Sequence, residues 1–311
     1  EKGVYELNQK YKTKEKFNFV YRKRRWNEKE EKYLGWERKR GLLIQFNDLL
    51  LEKEKGDFIS NTLENFNEKI KYIITLDSDT NLILDTAQKM VGAMAHILNK
   101  PVIEGKIVTK GYSIMQPRIG ITLEDSQKTM FTKIFSSNPG IDFYTNAISD
   151  IYQDCFGEGI FTGKGIYDLE IYQKLIKNEL PENRILSHDL LEGNYLRCGL
   201  LTDVVLLDSF PSQYLSYLER ENRWIRGDWQ IASWMEKTIN KKENPINNVS
   251  RFKIFDNLRR SILPIIQIII FGIAIANKSI PLLAIALISL YMTSILEIID
   301  KIIFRKSITE K

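Results

Sequence analysis

Residues 72–80 read YIITLDSDT, an apolar run closed by two aspartates, Asp77 and Asp79. A strand buried in an α/β sheet needs an apolar sequence, and ligands in such sheets gather at the carboxyl ends of the strands. Two carboxylates at that point make a hard, oxygen-rich corner suited to Mg²⁺ or Mn²⁺ carrying substrate phosphates. The same residues also serve as turn caps that open a following helix. The nonapeptide alone leaves both readings open.

Working outward, Leu82–Leu98 has the apolar spacing of an amphipathic helix (Leu84, Ala87, Met90, Val91, Met94, Leu98) and is stopped by Asn99-Lys100-Pro101. Residues 112–118 and 204–207 read as further strands, and FNFVYR (17–22) as a short one. Trp36–Glu54, Ser187–Cys198 and Gln213–Lys237 read as helices. Strands alternating with helices predict an α/β sheet with its site at one edge.

Composition narrows the function. Of 311 residues, 43% are apolar and 27% charged, enough for a substantial core and against global disorder. The net charge of +5 is too mild to imply nucleic acid. Basic residues cluster at Arg22–Arg25, Arg38–Arg40 and Arg251–Arg260, which fits a solvated face, a phosphate-rich ligand or an anionic membrane surface. Two cysteines, Cys155 and Cys198, stand in no metal-ligand spacing, which points to a reducing compartment without a disulfide scaffold or zinc site. The first residues carry no secretory signal pattern.

Beyond residue 238 the character shifts. A polar linker (239–249) leads to a basic amphipathic stretch, Arg251–Arg260, and then to two apolar runs, Ser261–Ala276 and Ile280–Leu296. These runs, of 16 and 17 residues, fit a transmembrane hairpin or a buried helical pair in a soluble protein. The basic flank favours the membrane and puts Arg259, Arg260, Lys301 and Arg305 on the cytoplasmic side. Three domains are expected: 1–238, the linker and interfacial helix over 239–260, and the hairpin over 261–300.

Three segments between Asp79 and the linker bear on chemistry. GEGIFTGKG (157–165) is either a plain loop or a glycine-rich approach to a ligand in which Lys164 meets phosphate or sugar oxygens. In SHDLLEG (187–193), Asp189 is either a helix cap or a general base aimed at a substrate hydroxyl. In RENRWIRG (220–227), Arg220, Arg223 and Arg226 recur every three residues; they form either a salt-bridged surface face or a clamp for a diphosphate, with Trp224 able to stack on a sugar.

These stretches, together with GWERKRG (35–41), GYSIMQPR (111–118), TDVVLLDSFPS (202–212) and DNLRRS (256–261), resemble the glycosyltransferase domain of cyclic β-1,2-glucan synthases, a family 2-like or family 84 glycosyltransferase. Arg220 stands where the wider family has glutamine, and the strand that opens the fold in that family has no counterpart before residue 20. The resemblance therefore implies a GT-A-like (Rossmann-like) α/β domain, N-terminally incomplete, followed by the transmembrane hairpin and belonging to a longer polypeptide.

The resemblance further implies a bacterial inner-membrane, inverting transferase of glucose from UDP-glucose to a growing β-glucan. Asp77 and Asp79 would hold Mg²⁺ or Mn²⁺, and Asp189 would be the catalytic base. Asp77, Lys164, His188, Glu192, Arg220, Arg223 and Trp224 would contact donor or acceptor. Alternatives are a non-catalytic sugar-nucleotide-binding membrane module and a synthase of another β-glycan. A phosphatase of the DxDx(T/V) type is disfavoured, because Asn81 stands where it needs Thr or Val.

Overall fold

The computed structural model describes residues 1–12, 16–63, 68–136, 150–239 and 242–308. Residues 240 and 241 of the expected linker, and the side chains of Lys301 and Arg305, lie outside the described residues. The chain divides into two compact units, Glu1–Phe252 and Lys253–Lys311.

The first unit is built on a mixed sheet of five strands: β1 (Tyr72–Thr75), β2 (Asn81–Leu82), β3 (Ile114–Ile121), β4 (Gly165–Asp168) and β5 (Cys198–Asp208), in the order β1-β4-β3-β5-β2. β4 runs antiparallel to both neighbours, with Gly165 opposite Thr75 and Ile166 opposite Met115. β5 is parallel to β3, and β2 antiparallel to β5. The carboxyl ends of β1, β3 and β5 and the start of β4 therefore share one edge of the sheet. Pro117 sits in β3 beyond the residues that pair with β4, next to the bulge between Leu201 and Val205 of β5. A residue with no N–H to give is tolerated at such a place.

Only residues 76–80 join β1 to β2, at opposite ends of the strand order, and within them Thr80 N–H donates to the Asp77 carbonyl at 3.1 Å. A flat sheet of this width would need about 19 Å between its edges, more than a turn-containing pentapeptide reaches. The sheet curls, and the turn crosses its top. Two expectations change here. β1 is half-buried at the end of the strand order rather than fully buried. Asn81–Leu82 is strand, so the helix begins at Thr86 and ends at Ala95. Pairing with Leu206 and Leu207 overrides the helical spacing, and Leu84, 87% exposed, is off the apolar face.

The helices that matter for the site are α1 (Arg38–Glu52), α2 (Thr86–Ala95), α3 (Leu169–Ile176), α4 (Asp189–Leu196) and α5 (Tyr214–Gln230). Alternation along β4 divides the core. Ile166 joins Met90 and Met94 of α2 with Met115, Leu201, Val204 and Leu206 in one cluster. Tyr167 points the other way, stacks on Tyr172 of α3 at 4.4 Å and donates its hydroxyl to Asn47 of α1 at 2.8 Å. Each fully buried aliphatic or Met side chain contributes about 1.5–3 kcal/mol. Asp168 caps α3 by accepting from Ile171 N–H.

The second unit contains most of α6 (Asn248–Ala276) and all of α7 (Ile280–Ile308). The basic stretch and the first apolar run are thus one continuous helix. Over its most apolar window α6 has a mean hydropathy of 1.8, with 11% of that window buried, and it is long and apolar enough to cross a membrane. The apolar part of α7 among the described residues covers Ile280–Met292. The chain reverses at Lys278 (φ 48°), where Ser279 N–H reaches the Ala274 carbonyl at 2.9 Å, and Gln267 meets Ser289 across the pair at 3.3 Å.

Candidate active site

A cavity of about 540 Å³ opens over the shared strand edge. Its wall takes Arg38 and Lys39 from α1, Asp77–Asp79 from the turn and Thr162–Lys164 from the glycine-rich loop. Leu186–Asp189, Asp208–Phe210 and one face of α5 complete it.

The glycine-rich loop is fixed from below. Buried Gln116 of β3 accepts from Thr162 N–H at 2.8 Å and from its hydroxyl at 3.1 Å. Gly163 has φ +92°, and a Cβ there would lie 2.7 Å from Asp189 Oδ1, so glycine is what lets the loop close on the Asp189 carboxylate. The Gly163 carbonyl accepts from Lys39 Nζ at 2.7 Å. The loop is therefore ordered wall, and Lys164 is directed inward.

Asp77 Oδ1 accepts from Lys39 Nζ at 2.5 Å, and Asp77 Oδ2 lies 3.3 Å from Lys164 Nζ. Lys164 also pairs with Asp208, whose other oxygen accepts from the Thr80 hydroxyl at 2.7 Å. Burial opposes the charge on Asp77, but the two ammonium groups outweigh it and hold the carboxyl below its ordinary value. Lys164 is held above its ordinary value: Asp208 and Asp77 overcome the cost of burial. Asp79 also lines the cavity; its side chain makes no hydrogen bond or ion pair among the described residues. The turn thus gives its two aspartates different surroundings, one neutralised and one open.

Asp189 opens α4, its side chain 27% exposed, with His188 and Ser187 beside it on the cavity wall. Burial raises its carboxyl above the usual range, Glu192 adds to that, and His188 opposes it. Glu192, expected to touch substrate, does not line the cavity: fully buried one helical turn on, it accepts from the Tyr172 hydroxyl at 2.5 Å and lies 2.7 Å from His188 Nδ1. It stands behind His188 and touches no part of the cavity wall.

From α5, Arg220, Arg223 and Trp224 face the cavity. Gly227 lets this helix approach the segment that leads into α4, since a Cβ there would stand 2.6 Å from the Ser187 Cβ. The Arg220 guanidinium lies among three rings, 4.8 Å from Trp224, 5.3 Å from Phe210 and 5.6 Å from Tyr217. Arg226 does not share that face; it lines a separate cavity with Lys29, Arg184 and Trp234. A helix turns about 100° per residue, so six residues carry a side chain about 120° away. Of the basic clusters, Arg38 and Lys39 line the cavity, whereas Arg22–Arg25 do not. Arg22 donates to the carbonyls of Trp36 and Arg38, and Arg25 pairs with Asp57.

With the geometry in place, comparison with known proteins adds one match. Over 261 residues, 82% of this chain, the sequence is 42% identical to cyclic beta-(1,2)-glucan synthase NdvB of Rhizobium meliloti (strain 1021). The chain is homologous to a segment of that synthase. It spans 9% of the relative's length. No family model matches the chain.

Lys39, Asp208, Phe210 and Tyr217 belong to the cavity but were not singled out from the sequence. Asp208 had a legible signal: VVLLD (204–208) closes an apolar strand on an aspartate just as YIITLD does. Lys39 shows in the sequence only as one of the Arg38–Arg40 basic cluster, because its partners lie 38 and 124 residues away.

Proposed function

We propose that this segment is the glycosyl-transfer module of a membrane-associated glucan synthase, with a GT-A-like fold, moving glucose from UDP-glucose to the end of a β-1,2-glucan with inversion. The observation that carries the reading is convergence. Asp77, Asp79, Lys164, His188, Asp189, Arg220, Arg223 and Trp224, from four separated stretches, line one cavity of about 540 Å³. Homology to a cyclic β-1,2-glucan synthase supports the substrate class.

The donor set suits a hard divalent cation. Asp79 offers an open carboxylate; Asp77, two residues away, is paired with Lys39 and Lys164 and would join a cation by exchanging those ammonium groups for it. These two would hold Mg²⁺ or Mn²⁺, which when bound offsets the charge of the departing diphosphate. Asp189, raised toward neutrality by burial, takes the proton from the acceptor hydroxyl. That oxygen forms the new bond to the anomeric carbon as the bond to the diphosphate oxygen breaks, its electron pair leaving with UDP. Attack from the face opposite UDP gives a β-linkage from an α-linked donor. Arg223 and Arg220 steady the diphosphate, and Trp224 offers a flat face to the acceptor sugar.

The exposed apolar belt of α6, including Ile265, Ile268 and Ile275, supports membrane insertion. The catalytic unit then lies on the cytoplasmic side of the inner membrane, where the donor is made. The metal assignment is tested by Mn²⁺-dependent binding of UDP-glucose to the natural polypeptide. Asp79→Ala is expected to weaken that binding at least tenfold; unchanged metal dependence would remove Asp79 from the site.

A further inference from the structure

Behind Asp189 runs a chain of buried polar groups that the transfer chemistry above does not use. The Tyr172 hydroxyl donates to Glu192 Oε1 at 2.5 Å, and the same carboxylate oxygen lies 2.7 Å from His188 Nδ1. That nitrogen lies 3.5 Å from Asp189 Oδ1. Exposure grades along the chain: Tyr172 and Glu192 are at 0%, His188 reaches the cavity wall at 7%, and the Asp189 side chain is the most open at 27%. The sequence builds this from one helical turn. Residues 188, 189 and 192 stand at i, i+1 and i+4, so the imidazole and the Glu192 carboxylate share a face while Asp189 turns outward.

Two carboxylates around one imidazole form an unequal competition. A buried carboxylate without a cation is costly, so the closer one, Glu192, has the stronger claim on the imidazolium charge. The other groups acting on the imidazole do not reverse this. Arg40 of α1 repels its charge, and Arg40 is itself paired with Glu37. Tyr172 of α3 reinforces the Glu192 anion. Around Asp189 the remaining charges are Lys39 of α1 and Asp77 of the turn, which act in opposite senses.

We propose that Glu192 and His188 are a positioning pair that sets the proton affinity of Asp189: Glu192 holds the imidazole charge away from Asp189, leaving that carboxylate basic enough to accept the hydroxyl proton. The inference rests on the reading of Asp189 as the base. The directions of titration agree with the geometry. Burial works against charge on both His188 and Glu192, yet their mutual attraction raises the imidazole and lowers Glu192, while Asp189 stays raised.

The pair makes a signed prediction. The acid limb of the transfer rate follows deprotonation of Asp189. His188→Gln removes a neighbouring cation and moves that limb to higher pH. Glu192→Gln removes a neighbouring anion, leaves the imidazole to Asp189 and moves the limb to lower pH. Each displacement is expected at about half a unit or more. Transfer of labelled glucose is followed against pH, with the natural polypeptide in native membranes and its variants. Tyr172→Phe, which deletes one hydrogen bond to Glu192 but leaves its charge, is the milder variant and moves the limb less than Glu192→Gln does. Opposite displacements support the pair. Limbs that move together, or a uniform loss of rate with the limb unmoved, overturn it even if Asp189→Asn is inactive. Substantial transfer by Asp189→Asn instead overturns the base assignment on which the pair depends.

Discussion

At Gly163 the backbone turns through φ +92° with the Asp189 carboxylate 2.7 Å from where a methyl group would sit. Gly163→Ala is therefore expected to cost about 1–3 kcal/mol in backbone strain. It should also lower transfer about 100-fold by displacing the loop that carries Lys164, since misplacement near 1 Å has that effect. A thermal midpoint and a turnover number on the same preparation check both parts. Asp57, away from the cavity, tests electrostatics alone. Burial opposes its charge, but Gln45 at 3.0 Å and Arg25 outweigh it and hold its carboxyl below the ordinary value. A depressed carboxyl contributes stability that is present above the unfolded value and lost as pH falls through the folded one. Asp57→Asn should thus lower the thermal midpoint by a few degrees at pH 7, about 1 kcal/mol in a unit of this size. The gap should close as pH falls below the ordinary aspartate range.

Among elements, α5 holds Arg220, Arg223 and Trp224 on the cavity because Gly227 lets it lie against Ser187. Gly227→Ala puts a methyl group 2.6 Å from the Ser187 Cβ and 3.2 Å from its amide nitrogen. The helix must back away, and turnover at saturating donor is expected to fall at least tenfold, because the two walls of the site separate. The elements also show what a sequence can reveal. The β1 strand was legible because the apolar run and its terminal carboxylates lie side by side. The same pattern at VVLLD marks Asp208, for the same physical reason. Helical spacing from Leu82 misled, because β2 pairs with residues 206 and 207, far along the chain. Arg226 misled because a three-residue repeat drifts around a helix, so two of three arginines reach the cavity. Glu192 was recognised as part of a motif, but its place behind His188 depends on Tyr172 from another helix.

At the scale of the whole molecule, one chain carries a curled α/β unit and a pair of apolar helices. If α6 crosses the membrane, Arg251 and Ser279, near its two ends, face opposite compartments. Cysteines introduced singly at 251 and 279, with Cys155 and Cys198 replaced, should react with an impermeant maleimide from opposite sides of sealed vesicles. Labelling of both from one side would return α6 to the interior or surface of a soluble assembly. The central claim is that the cavity transfers glucose with Asp189 as base. Native membranes bearing the polypeptide, given radiolabelled UDP-glucose and Mn²⁺, should yield β-1,2-linked glucan. Asp189→Asn should reduce that yield by about 100-fold or more while UDP-glucose binding stays within about threefold of wild type. Near wild-type turnover by Asp189→Asn would contradict the account.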